Sequence, residues 1–165
     1  MPDGMLRSFE YTLGFMAELV ADVPDERWTE QPSGLANHAA WTVGHLAYSC
    51  QAIGGEMGLK PWLPGGRKDL FGTGSNPQKD RGRYPAASEL LEEMRASSCL
   101  VCEHVRKTWA TLKCQELPDA RYRSLLPTVG DAVLQVLVAH SAYHVGQTAL
   151  WRRAIGFPPP ARFYL

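Results

Sequence analysis

Apolar residues recur at alternating steps of three and four in four separate stretches of this chain, and the period disappears between them. The first stretch, residues 5–23, carries Leu6, Phe9, Leu13, Met16 and Val20 on one face, which predicts an amphipathic helix ended by Pro24. Residues 24–37 are loop by composition, and Asn37 is the expected N-cap of a second helix over 38–58, whose seam reads Trp41, His45, Tyr48 and Ala52. A third helix is predicted from about 86 to 112, with Leu91, Met94, Ser98, Val101, Val105 and Leu112 inward and Glu92, Glu93, Glu103, Arg106 and Lys107 outward. Thr128 and Asp131 form a capping-box pattern, Asp replacing the usual Glu or Gln. The fourth helix then runs to Ala154 or Ile155, stopped by Gly156 and Pro158, with Arg152 and Arg153 complementing its C-terminal dipole.

Residues 59–85 follow no apolar period: Gly65, Gly66, Gly72, Gly74 and Gly82 are interleaved with Pro61, Pro64, Pro77 and Pro85. So long a connection inside a small domain is a crossover or a functional loop. Hairpin dipeptides between alternating apolar runs are absent. The pattern predicts an all-α four-helix bundle with one long crossover between helices two and three.

Length and charge narrow the functional classes. The 165 residues fit one domain, large enough to bury a core without a disulfide or metal staple, so a metal found here is expected to be functional. Seventeen basic residues balance seventeen acidic ones, and without a basic footprint the chain is not expected to bind nucleic acid. Asp3, Arg7, Glu10 and Glu18 interrupt any secretory apolar core, and stretches such as 133–139 are too short to span a bilayer. The expectation is a cytoplasmic protein, no membrane partner, and thiols at Cys50, Cys99, Cys102 and Cys114.

Histidines break the apolar seams. On the fourth helix the inward face reads Val133, Leu137, His140, His144, Gln147 and Trp151, and the four-residue spacing leaves the two imidazoles about 40° apart in azimuth. His45 stands on the inward face of the second helix. Each buried imidazole left unpartnered costs ~1–3 kcal/mol, and sharing one divalent cation answers all three. Three nitrogen ligands leave a coordination position open, the pattern of a catalytic site, although a lone inward histidine is more often an ordinary core residue. The segment HSAYH lacks the glutamate of H-E-x-x-H, which disfavours a metalloprotease.

These residues resemble a known family. The stretch NHAAWTVGHLAYS (37–49), with its W-x-x-G-H-L core at 41–46, and HSAYHVGQTALWRRAIGFPP (140–159), with H-x-x-x-H-x-G-Q, are similar to the second- and fourth-helix motifs of the DinB superfamily of metal-binding bundles. The resemblance implies an up-down-down-up order and a single DinB-like domain over 1–165. It also implies that His45, His140 and His144 are the metal triad; three imidazoles suit zinc, nickel, copper or iron, and zinc or nickel is the expected ion. Members are described as metal-dependent hydrolases, and some relatives resemble low-molecular-weight-thiol S-transferases.

No spacing rule selects an acid or base from Glu10, Glu56, Asp131 and Tyr143, so no catalytic residue beyond the ligands is named. Cys99-x-x-Cys102 lies in mid-helix, away from the helix N-terminus that lowers a redox thiolate's pKa, and Gly72-Thr-Gly-Ser-Asn-Pro lacks the strand of a dinucleotide loop. Three readings follow: a divalent-metal enzyme acting on a small molecule, a non-catalytic metal- or ligand-binding bundle, and a helical interaction protein with core histidines. Two further expectations concern surfaces. Trp28, Trp62, Trp109 and Trp151 exceed what the core has room for, which predicts an exposed aromatic patch closing a homodimer. Loop 59–85 is expected at the rim of the metal site, its Lys60, Arg67, Lys68, Arg81 or Arg83 favouring an anionic substrate, with a solvated strap as the competing picture.

Overall fold

The computed structural model describes residues 2–160, the side chain of Ser33 excepted. Four long helical segments make an all-α bundle: α1 (Asp3–Val20), α2 (Ala39–Glu56), α4 (Ala87–Leu112), and a fourth built from α5 (Val129–Leu134), a π turn (Gln135–His140) and α6 (Ser141–Ala154). The short helix α3 (Arg67–Phe71) interrupts the connection between α2 and α4. Among the described residues no strand forms, and no helix is long and apolar enough to cross a membrane. α2 packs most extensively on α4, and α1 on α6.

The apolar periods locate the core. All five seam residues of α1 are buried, joined by Leu19. Thr128 and Asp131 form the reciprocal capping box at the start of α5. The N-cap of α2 differs from expectation: His38 holds that position, its Nδ1 accepting from the Trp41 amide, while Asn37 instead donates to Gln147 Oε1 at 3.0 Å. On α4 the inward stripe takes Leu90 and Ser97 rather than Leu91 and Ser98, because Ser97 Oγ accepts the indole N–H of Trp62 at 2.8 Å.

The crossover is ordered by aromatic anchors rather than left as structureless linker. From Ala39 to Ala47 every residue of α2 is buried, although a surface helix would leave one side wet, while Ala52 of the expected seam is exposed. Two helix glycines, Gly44 within this stretch and Gly54 beyond it, let the crossover pack closely on α2. A Cβ on Gly44 would sit 2.3 Å from the Phe71 ring and one on Gly54 would sit 2.6 Å from the Trp62 ring, so the crossover lays its two large side chains into the pits those glycines leave. Burying Phe71 completely contributes about 1.5–3 kcal/mol. Arg67, at the start of α3, ties the crossover to α4 through Glu93 and Glu89 at 2.5 and 2.6 Å.

The tryptophan expectation is corrected. Trp28 and Trp151 are each 1 % exposed, and their indole N–H groups donate to the carbonyls of Val23 and Glu30. Trp62 and Trp109 are partly buried against the core. These four rings form no exposed patch, because the segments around 23–31 and the crossover supply room and acceptors that helix seams alone do not. Arg152 also does more than complement a dipole: its guanidinium is buried, donating to the carbonyls of Leu19 and Pro158, paired with Asp22, and set over the Phe157 ring.

Candidate metal centre

His45 comes from the middle of α2, His140 from the last residue of the π turn, and His144 from the first turn of α6. The widened turn loosens the regular i→i−4 ladder immediately before the two fourth-helix imidazoles, and Ser141 Oγ donates to the Val136 carbonyl there at 3.0 Å. The structure brings all three rings together. Their centroids lie 4.5 to 5.0 Å apart, and one nitrogen from each falls in a group no more than 4.8 Å across. His45 and His144 are buried and His140 is half-buried, so solvent has its approach on the His140 side.

Hydrogen-bond bookkeeping fixes the character of the group. His45 Nδ1 lies 2.6 Å from the Phe71 carbonyl and must donate to it, which leaves a lone pair on Nε2 of the neutral ring. His140 Nε2 lies 3.0 Å from His45 Nε2 and 3.1 Å from His144 Nε2. In any neutral assignment at most one of those contacts is a well-directed hydrogen bond. Protonating a ring would repair the mismatch, but burial opposes it. Desolvation lowers all three pKa values, with His140 pushed down to about 4 and His144 to about 3; the neighbouring imidazoles add to the shift at His140 and His144, while the Phe71 carbonyl partly offsets it at His45. A divalent cation among the three Nε2 atoms resolves both problems. Tetrahedral nitrogen ligands at ~2.0–2.1 Å stand about 3.3 Å apart, so the His45–His140 and His140–His144 pairs would each need to open by only a few tenths of an ångström.

The surroundings hold the ligands unequally. Trp41, one turn before His45 on α2, stacks on its ring at 4.5 Å and 10°, and the indole N–H donates to Ser75 Oγ, which donates in turn to the Leu70 carbonyl. His140 Nδ1 and His144 Nδ1 are buried and have no partner among the described residues. Among the described residues no carboxylate or thiolate joins the three nitrogens in their group. Of the four acid or base candidates, Glu10 pairs with Arg106, Glu56 accepts from the Asp119 amide, and Asp131 belongs to the capping box. Tyr143 alone touches the site: its largely exposed ring meets His144 edge-on at 5.3 Å.

The crossover reaches the site through Phe71 and Ser75, while two of its five candidate cations are committed elsewhere. Arg67 is bound to α4, and Arg81 to Asp25 and the carbonyls of Tyr84 and Pro85. Cys99 and Cys102 are separate thiols, one exposed and one buried, and burial raises the Cys102 pKa to about 12, the opposite of a redox thiol. Burial raises Cys50 still further, as befits a core residue. The contributions of Phe71 and Ser75 escaped the pattern reading, since a main-chain acceptor has no side-chain signature. Gly44 did leave a signal: an isolated glycine inside a helix, next to a ligand, marks a close approach.

Compared with known proteins, residues 9–148 match the family model of the DinB superfamily. No curated protein and no solved structure gives a match to the chain.

Proposed function

The chain belongs to the DinB superfamily, and from that premise we propose that it binds one divalent ion, zinc or nickel, through His45, His140 and His144 and acts as a metal-dependent enzyme on a small molecule. The observation carrying this reading is the mutual approach of three Nε2 atoms that no neutral hydrogen-bond pattern satisfies. An ion held there supplies Lewis acidity, lowering the pKa of a bound water or thiol toward ~7. The chain's own part is to hold three neutral donors, to keep His45 oriented through Phe71 and Trp41, and to bury the site on all but the His140 side. Three neutral ligands with no acid in their group leave the ion's full positive charge in place, which favours an anionic ligand such as a thiolate, carboxylate or hydroxide. Hydrolysis and transfer of a low-molecular-weight thiol both fit that preference. Free cysteines and zero net charge support a cytoplasmic setting and a small ligand rather than nucleic acid.

One observation favours a second reading. The three acids named as candidates are all engaged elsewhere, so none of them stands ready as a general base, which suits a non-catalytic metal- or ligand-binding bundle. Elemental analysis of protein purified without a histidine tag, followed by a hydrolase and thiol-transfer screen, decides between them. One ion per chain with turnover supports the enzyme. One ion without turnover supports the binding protein, and no ion uptake removes the metal enzyme and leaves only a bundle that binds a ligand without metal.

A further inference from the structure

We propose that Gly44 is a positioning residue for the metal centre, acting through the crossover. Its missing side chain seats the Phe71 ring, and the seated ring places the Phe71 carbonyl that fixes the imidazole of His45. This rests on reading the histidine triad as a metal centre. Four observations carry it. The Phe71 ring is fully buried and comes so close to Gly44 that an added Cβ would stand 2.3, 2.5 and 2.6 Å from three of its ring carbons, too close for any real contact. The obstacle is a rigid aromatic ring at the end of α3 rather than a flexible tip, so a side chain at residue 44 has to displace the segment that carries the carbonyl. That carbonyl accepts from His45 Nδ1 at 2.6 Å, and His45 is the adjacent residue on α2. Among the described residues His45 is also the single member of the triad whose Nδ1 has a hydrogen-bond partner, since His140 Nδ1 and His144 Nδ1 have none.

The physical consequence is unequal preorganisation. The Phe71 carbonyl holds the His45 proton on Nδ1 and aims the Nε2 lone pair at the other two rings, whereas among the described residues His140 Nδ1 and His144 Nδ1 have no such acceptor, His144 being steadied instead by Gln147 and the Trp41 and Tyr143 rings. Groups that orient a ligand in this way commonly account for ten- to hundredfold in metal affinity. The glycine of the W-x-x-G-H segment thus has a role distinct from helix packing: it lets a 26-residue-distant main-chain oxygen set the tautomer of its neighbour.

Two readouts test the inference on the full chain. Long-range imidazole proton–nitrogen correlation spectra of the metal-free protein are expected to show His45 locked with its proton on Nδ1, and zinc titration is expected to give tight binding. Gly44→Ala should release the tautomer and weaken zinc binding by about ten- to hundredfold. Gly44→Ala combined with Phe71→Leu, which removes the ring the methyl meets, should recover both. If Gly44→Ala does not fold, Phe71→Ala, which keeps the carbonyl and unseats it, is expected to give the same two losses. Wild-type protein with the His45 proton on Nε2 or exchanging between nitrogens overturns the proposal, as does a folded variant with unchanged tautomer and zinc affinity. Should wild type bind neither zinc nor nickel, the metal reading fails, and the tautomer comparison alone then decides the role of Gly44.

Discussion

The Nε2 atoms of His45 and His140 stand 3.0 Å apart although 95 residues separate them in the chain. Removing His140 is expected to abolish metal binding while leaving the fold intact, since it is the half-buried member of the triad. His140→Ala should therefore show no bound zinc by elemental analysis and an unchanged helical circular dichroism spectrum. In wild type, zinc at a hundredfold excess over its Kd should stabilise the fold by about 2.7 kcal/mol, and a chelator should reverse the shift in Tm. Zinc retained by His140→Ala would place the ion elsewhere.

The bundle and the triad were legible because both are periodic. Leu6 through Val20 and His140 with His144 repeat at helical spacing, so a side chain's face follows from its number. The sequence is silent where a contact is made by main chain or joins distant segments. Nothing in its composition marks Phe71 as the residue whose carbonyl meets His45, or Ser75 as the hydroxyl that receives the Trp41 indole. The π turn was equally hidden, because its widened hydrogen bonds leave the order of residues unchanged. Buried Trp28 and Trp151 show the same limit in reverse: their acceptors are loop and turn carbonyls that no helix seam predicts.

Gly54 supplies a contrast to Gly44. Its added Cβ would meet the Trp62 ring at 2.6 Å, and Trp62 binds Gln51 and Ser97 rather than any histidine. Gly54→Ala is expected to cost about 1–3 kcal/mol by overpacking, read as a lower urea midpoint at unchanged m-value. Zinc affinity should stay at the wild-type value. A parallel loss of zinc affinity would show that loosening any part of the crossover disturbs the site.

Arg152 is 2 % exposed and fastens α6 to the end of α1 through the Leu19 carbonyl and Asp22. The same pairing holds the Asp22 carboxyl below its usual range. Arg152→Met keeps most of the buried volume but leaves the carbonyls of Leu19 and Pro158 without this donor. Because Asp22 remains largely wet, no buried charge is stranded, and the cost is expected near 3 kcal/mol rather than higher. Chemical denaturation measures it, and a change under 1 kcal/mol would mean that water replaces the guanidinium at both carbonyls.

His38 gives the fold an acid-sensitive joint outside the triad. Its Nδ1 caps α2 by accepting from the Trp41 amide, and its Nε2–H donates to the Gln78 carbonyl, so both nitrogens are committed in the neutral form. A proton on Nδ1 would face the amide N–H and break the cap. Burial accordingly pushes the His38 pKa down from 6.5 to about 4, with Arg81 adding repulsion. The unfolded chain then binds a proton that the folded chain refuses, so this contribution is fully present above pH 6.5 and is lost as pH falls toward 4. The whole step amounts to ~3 kcal/mol. Asparagine caps a helix without titrating in this range. With chelator present in both samples, the stability of wild type should therefore fall more steeply between pH 6.5 and 4 than that of His38→Asn, by close to one proton in the linkage slope. Parallel slopes would show that His38 accepts its proton in the folded state at an ordinary pH, which the two hydrogen bonds forbid.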